Sequence, residues 1–458
     1  MKKIHTFTDS LTKIKHTIYE FPNGIKLLHA QHPSSIDYAL SVIVRAGSSF
    51  ETINNLPHGT AHFLEHIIIG NPNKLLKSKF EIDEFESGNK DEPEIFSNAS
   101  TYKKYMCIYC YGNEKGSNRI NQRIKSVLDY PVENILKYIE KERQIILAEQ
   151  SHKNKEKHDR YLQFVKFLYN NENNGFTHTI IGKKKSIKQI STQDLKTFYK
   201  KQFIPENILI TLQTGKELLP NQKEEIQEIV NMYNQSTNKT ISPQNPISIS
   251  KRIHHFEDKQ IEGISISILM VQEKRKKLDY KTEVLEHLFR LLMRKISHDY
   301  LREKLGLIYS AHMFNNFGLS FKQRTIEYTV ITQPKNFDKI LISINDLIEK
   351  EIKRFLNSKE GKIWFESKIS AYIFPRTMPF KTSYAEEKGS PLIEKREVFE
   401  LDKAIRQALK INNKDLYEFS NKFFSNTPLF WIESDTDGSK LTKKLKASKL
   451  YNRFNGNI

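Results

Sequence analysis

Gly59-Thr60-Ala61-His62-Phe63-Leu64-Glu65-His66-Ile67-Ile68-Ile69-Gly70 is the stretch on which the reading turns. Pro57 opens it, no proline interrupts it and Gly70-Asn71-Pro72 stops it, so a helix is expected over 58–69. Residues four apart on a helix share a face, with Cβ atoms about 5–6 Å apart, so the imidazoles of His62 and His66 can reach one metal ion. Zinc takes N, O or S donors in a tetrahedron and, where it is catalytic, keeps one corner for water. Two histidines therefore call for one more protein ligand. Glu65 lies beside His66 and three residues from His62, where a carboxylate can act as general base toward that water without ligating. A plain histidine pair on a helix is the ordinary alternative, and the pentapeptide alone leaves it open.

Working outward, Thr17 to Leu28 predicts strand, turn and strand around Pro22-Asn23-Gly24, and Tyr38 to Val44 a further strand. Lys77 to Phe85 has helical spacing before Gly88, and the Tyr-rich run from Tyr102 to Tyr111 reads as a strand. Pro131 starts a long helix to about Lys153, with Ile135, Ile139, Ile146 and Leu147 as its apolar stripe, and a second helix follows near Asp159 to Tyr169. Asp194 to Lys201 is a helix, Ile208 to Gln213 a strand and Lys223 to Met232 a helix. The polar, proline-bearing stretch 234–250 cannot support a packed core, so it is taken as a linker between domains at 1–233 and 251–458. In the second domain, Ile264 to Val271 and Tyr328 to Ile331 are strands, while Thr282 to Lys304 and Phe337 to Phe355 are helices. Their order echoes the first domain without any residue-level repeat.

The 458 residues allow two to four domains, and 38% hydrophobic with 11% aromatic content is enough for a core. Two cysteines cannot make a disulfide framework, which suits a reducing, cytoplasmic setting. Cys107 and Cys110, three apart in a strand, point to opposite faces and are given neither a redox nor a zinc role. The formal charge is +19, but the lysines are spread along the chain, so no nucleic-acid partner is expected. Met1 to Asp9 lacks the apolar stretch of an export signal, and runs such as Ile261 to Val271 fall short of the roughly 18 residues a membrane span needs. His58 could stack with His62 and His66 at i, i+4, i+8. Its place beside Gly59 at the helix mouth makes it a loop histidine instead.

Asn23-Gly24-Ile25-Lys26, then Val42-Ile43-Val44-Arg45-Ala46-Gly47-Ser48 with Glu51, then Gly59 to His66, together resemble the pitrilysin or insulinase family of zinc peptidases. These carry the His-x-x-Glu-His order of the inverzincins, and mitochondrial processing peptidase is among them. Asn98-Ala99-Ser100-Thr101, Gly182, Phe198-Tyr199 and Pro205-Glu206-Asn207 are similar to later landmarks of the family. The resemblance implies an α+β fold of two related α/β-roll halves, each an antiparallel-rich sheet flanked by helices, the second half closing the substrate chamber. It implies one Zn2+ per chain on His62, His66 and Glu149, with Glu65 as base and Glu142, seven residues before Glu149, as supporting carboxylate. Glu149 lies 83 residues after His66, longer than the family interval, and the extra residues are placed at Asn89 to Phe96. Were they elsewhere, Glu142 and Glu149 could exchange roles. The resemblance further implies that Asn98, Ala99 and Ser100 bind substrate as an edge strand, and that Arg302 and Tyr309 meet its carbonyl. The expected function is zinc metalloendopeptidase activity on extended peptides, in a homodimer or in a heterodimer with an inactive relative. The alternative is a catalytically silent peptide-binding subunit.

Overall fold

Short β-branched runs cut by Asn-Gly and Pro turns assemble the first sheet in a computed structural model, which describes residues 1–130, 132–152, 155–169, 174–233, 247, 252–316, 320, 322–373 and 383–454. Its strands are Lys2–Thr8 (β1), Lys15–Glu20 (β2), Lys26–Gln31 (β3), Asp37–Val44 (β4), Ile95–Thr101 (β5), Met106–Asn113 (β6) and Ile208–Thr214 (β7). They lie in the order β1-β2-β3-β7-β4-β6-β5, antiparallel except at β3/β7. The β2–β3 hairpin turns where expected, because Gly24 takes φ +89° and donates to Phe21 O at 2.9 Å, a left-handed position that glycine fills without strain. Every residue of β7 is buried, Thr211, Gln213 and Thr214 included, because the strand lies inside the sheet between β3 and β4.

Both faces of this sheet are covered. Ile43, Cys107 and Leu209 pack against Ile393 of the Tyr384–Ile393 helix. That helix sits close because Gly389 lacks a side chain; an added Cβ would lie 2.7 Å from Thr211 Cγ2. The Thr60–Gly70 and Ser117–Leu128 helices cover the opposite face. Cys107 and Cys110 are free and buried, and burial raises both thiols above their ordinary range. β6 begins at Met106 rather than Tyr102, because Tyr102 N–H bonds Tyr105 O at 2.8 Å and closes a tight turn from β5.

The second sheet contains Ile253–Glu257 (β8), Ile264–Glu273 (β9), Ile308–Asn316 (β10), Gln323–Thr332 (β11) and Leu429–Ser434 (β12), in the order β10-β11-β9-β12-β8. Only β8/β12 is parallel. Reading β3-β7-β4-β6-β5 beside β8-β12-β9-β11-β10 gives the same order and the same strand directions. The two halves are thus related architectures of α+β type. The Tyr280–Ile296 helix buries Val284, Leu288, Phe289 and Leu292. On that helix Glu286 meets Arg324 at two points, 3.1 and 2.5 Å, in a buried ion pair.

Compact unit one is Met1–His158, Asn173–Gln244 and Met378–Glu400; unit two is Asp159–Glu172, Asn245–Thr377 and Leu401–Ile458. The continuous blocks 1–233 and 251–458 expected from the sequence therefore differ at 159–172 and 378–400, and side-chain packing explains both. Phe164 and Phe167 set their rings 5.2 and 5.8 Å from Trp431 of unit two. Ile393 lies in the core of unit one. Apart from Ile247, the expected linker at 234–250 lies outside the described residues. Among the described residues, no helix is long and apolar enough to cross a membrane.

Candidate metal centre

The helix carrying the histidines runs Thr60–Gly70, and its start is made by a distant side chain. Gly59 stands at φ +101°, and the Glu51 carboxylate accepts from Gly59 N at 3.0 Å and Ala61 N at 2.8 Å, satisfying two N–H groups that a helix start leaves unpaired. His178 Nε2 donates to Glu51 at 3.0 Å, and the His58 ring stacks on His178 at 3.7 Å. Burial drives this cluster: it pushes Glu51 up to about 8 against the hydrogen bonds from Ala61 and Gly59, takes His58 down to about 4 and holds His178 well below the usual range. His58 is thus committed to His178 and does not join the pair four residues on. At the other end, Asn71 Nδ2 donates to His66 O at 3.1 Å and Ile67 O at 3.2 Å.

Phe63, Leu64 and Ile67 face the core, which turns His62 and His66 outward with ring centroids 4.7 Å apart. The facing helix is Ile135–His152, where Ile135, Ile139 and Ile146 are buried and Glu142 and Glu149 stand two turns apart. Glu149 Oε2 lies 3.6 Å from His62 Nε2 and 3.5 Å from His66 Nε2. One donor atom from each of the three residues falls within 4.8 Å of the others, the one such group of His, Cys, Asp or Glu among the described residues. Glu142 stands behind His66: its Oε2 is 3.4 Å from His66 Nδ1, and its Oε1 accepts from Asn71 Nδ2 at 3.1 Å. Burial opposes charge on both groups. The hydrogen bonds to Glu142 and Glu149 nevertheless hold His66 up to about 9, and those from His66 and Asn71 hold Glu142 below the ordinary carboxylate range. A cationic charge is favoured at this point.

The donor set fits zinc. Metal–ligand lengths of about 2.0–2.2 Å give a tetrahedron edges of about 3.3–3.6 Å, and the two His–Glu149 separations lie at that value. A histidine whose far nitrogen is tied to a carboxylate, as His66 is to Glu142, is the usual arrangement of a ligating imidazole. Glu65 lies on the same helix and is buried, its Oε2 accepting from Thr101 Oγ1 at 2.6 Å. Burial raises its pKa, against the Thr101 hydrogen bond and the attraction of His66. A buried carboxyl held by one hydroxyl beside a metal site can take and return a proton.

Asn98, Ala99 and Ser100 lie on β5, which is the edge of its sheet. Arg302 and Tyr309 belong to unit two. Arg302 Nη1 donates to Tyr309 O at 3.0 Å, Tyr309 is 55% exposed, and its hydroxyl is 3.0 Å from Gln333 Nε2. Three supporting residues were not singled out from the sequence. Thr101 reads only as part of the substrate-binding strand and not as a partner of Glu65, Asn71 reads only as a helix stop, and His178 carries no local signal, because its partner is 127 residues away.

In one matched segment and in fold the chain is similar to M16 peptidases. Residues 189–360 match the profile described as "Peptidase M16 inactive domain". The chain is 25% identical over 201 residues to the mitochondrial-processing peptidase subunit beta of Blastocladiella emersonii, covering 43% of this chain and 40% of that protein. It is 24% identical over 309 residues to an uncharacterized zinc protease of Rickettsia bellii, covering 66% of this chain and 71% of the other. The match thus spans about two fifths of the processing-peptidase subunit. In structure it is similar to the first half of the periplasmic protease PqqL from Escherichia coli, with TM-score 0.75, 12% identity and 99% coverage of both chains. That likeness is one of fold.

Proposed function

We propose that the chain is a zinc-dependent metalloendopeptidase acting on extended peptides. The observation that carries this is the convergence of His62, His66 and Glu149 on one point, with Glu65 beside them. Zinc held there supplies Lewis acidity toward a peptide carbonyl and makes a water easier to deprotonate. Glu65 accepts the proton of the attacking water on a carboxylate oxygen and returns it to the leaving amine. Thr101 fixes the orientation of that carboxylate, while Glu142, steadied by Asn71, fixes the ring of His66. The free edge of β5 at Asn98, Ala99 and Ser100 offers main-chain hydrogen bonds to an added strand, which favours extended over folded substrates. For Arg302 and Tyr309 the proposal rests on chemistry alone: an exposed guanidinium and phenol can donate to a peptide carbonyl. Two buried free thiols suit a reducing compartment such as the cytoplasm. A dimer, of two identical chains or with an inactive relative, belongs to the same proposal, and the relatives named as processing-peptidase subunits support a partner.

A second reading, a peptide-binding subunit without turnover, is favoured by the match to an inactive-domain profile. That segment starts after Glu149, outside the residues proposed to hold zinc. One experiment separates the two readings: mass-spectrometric mapping of cleavage in a mixed peptide library with the intact chain, after chelation, after zinc is restored, and with Glu65→Gln. Zinc-restored cleavage that Glu65→Gln lowers by several orders of magnitude supports the enzyme. Bound but uncut peptides in all conditions overturn it in favour of the silent subunit.

A further inference from the structure

A cavity of about 490 Å³ opens on the face of the first sheet opposite Thr101 and Glu65, between the β4-β6-β5 end and the Tyr384–Ile393 helix. Phe96, Tyr102, Tyr105, Tyr109 and Tyr111 wall it, and Glu386 looks in from the helix. Register explains why so many rings meet there. Phe96 pairs with Tyr111 and Asn98 with Tyr109, so strand alternation puts these side chains on one face while Ala99 and Thr101 take the other. The Phe96 ring lies 5.2 Å from Tyr111 and 6.4 Å from Tyr109, Tyr109 and Tyr111 stack 6.5 Å apart, and Tyr102 lies 4.7 Å from Tyr105 across the turn.

The chain carries 73 Lys and Arg, and the nearby buried Glu394 uses two of them, Lys104 at 2.6 Å and Arg396 at 3.1 Å. Glu386 has the weak Cys107 thiol and the neighbouring Glu387, with no lysine or arginine steadying it among the described residues. Half-burial therefore raises its pKa. Aromatic faces with one poorly compensated carboxylate are the chemistry that holds an organic cation.

We propose that this cavity binds an alkylammonium or guanidinium group, stacked on the tyrosines and countered by Glu386. The cation has two possible sources, a free amine or guanidine and a Lys or Arg side chain of a peptide laid along β5, whose Phe96 and Ser100 form the rim. The second source alone rests on the peptide-binding reading above.

Calorimetry on the full-length Glu65→Gln chain, which cannot turn substrate over, tests both. One arm titrates ethylguanidinium against neutral ethylurea. The other titrates two short peptides that differ only by arginine or citrulline. The expected result is binding of the cation but not the urea, weakened about tenfold by Glu386→Gln and similarly by Tyr109→Leu, with melting curves confirming that both variants fold. Arginine peptide binding about tenfold tighter than citrulline peptide, with the gap closed by Glu386→Gln, identifies the peptide as the source. Binding of ethylguanidinium alone identifies a free cation. Equal binding of cation and urea, or no change in either variant, overturns the proposal. Because neither arm requires zinc or cleavage, loss of the peptidase reading leaves the test intact.

Discussion

Glu142→Gln is the sharpest perturbation of the proposed metal site, because it leaves all three ligands in place and its size can be worked out. Glu142 makes two polar contacts at the site, with His66 Nδ1 at 3.4 Å and Asn71 Nδ2 at 3.1 Å. An amide can keep only one of them. With its oxygen toward His66, its NH2 faces the Asn71 NH2; turned round, it presents a donor to a nitrogen that must itself donate. The charge assistance to the imidazole is lost either way. Removing such a supporting carboxylate typically costs 10–100-fold in metal affinity, or about 1.4–2.8 kcal/mol. The long 3.4 Å contact places this case near the lower end, at about tenfold. Zinc competition against a chromogenic chelator at neutral pH measures it, with Glu149→Gln run in parallel. Glu149 lies within 3.6 Å of both histidines, so its loss leaves two ligands where three are needed and should exceed the Glu142 effect by an order of magnitude or more. An unchanged affinity in Glu142→Gln would refute the supporting role. A larger loss there than in Glu149→Gln would show that the two carboxylates exchange roles.

Three further outcomes follow from the same structure. Glu51→Ala strands two buried donors, Gly59 N and Ala61 N, while His178 Nε2 keeps Ser48 O at 3.1 Å, and should lower stability by roughly 2 kcal/mol in urea titration once the relief of burying Glu51 itself is counted; a change under about 0.5 kcal/mol would show that the helix start does not need it. His16 and His29 are buried and held down to about 3 and about 4, chiefly by burial. With folded pKa values below the unfolded one, their contribution is complete above about pH 6.5 and is lost as pH falls toward 4, so melting temperature should drop over that window, and replacing His29 by Gln should flatten the drop. In unit two, Glu286→Ala leaves Arg324 buried without its two-point partner and should cost about 3–5 kcal/mol by the same titration, whereas loss of the exposed Lys350–Asp346 pair should cost under about 1 kcal/mol.

What could be read from the sequence divides along the range of the interactions involved. His62, Glu65 and His66 lie within one helical turn or so of each other, and the 3.6-residue period projects them onto a common region, so spacing alone carries the chemistry. Their supports come from elsewhere in the chain. Thr101 reaches Glu65 across 36 residues, Asn71 reaches Glu142 across 71 and His178 reaches Glu51 across 127, and no local pattern encodes such pairings. The fold divides in the same way. Buried β4 and β7 are legible from their clustered Val, Ile and Leu residues, whereas β1 is an edge strand exposed at nearly every position, and it leaves no alternation to find. The Ser117–Leu128 helix is hard to read from the sequence although Ile120, Ile124 and Val127 carry a helical stripe, because Arg119 and Arg123 break its appearance. Arg123 is nearly fully buried, paired with Glu86 at 2.7 Å and with Ile69 O at 3.0 Å, and that compensation is visible only once the elements are assembled.

The duplicated topology sharpens this into a statement about where chemistry resides. Both sheets share one strand order, and in each a helix leads from the second strand of that order in the chain, β4 or β9, toward the edge strand β5 or β10. In the first half that connection includes Thr60–Gly70 with its two outward imidazoles; in the second it is Tyr280–Ile296, which turns Val284, Leu288 and Leu292 inward and carries His287 against Tyr372 at 5.2 Å. The same architecture thus supports a donor cluster in one half and ordinary packing in the other. Architecture by itself therefore cannot decide between a peptidase and a silent subunit. The decision rests on four side chains of the first half, which is why a zinc titration of single-residue variants discriminates where further comparison of folds would not.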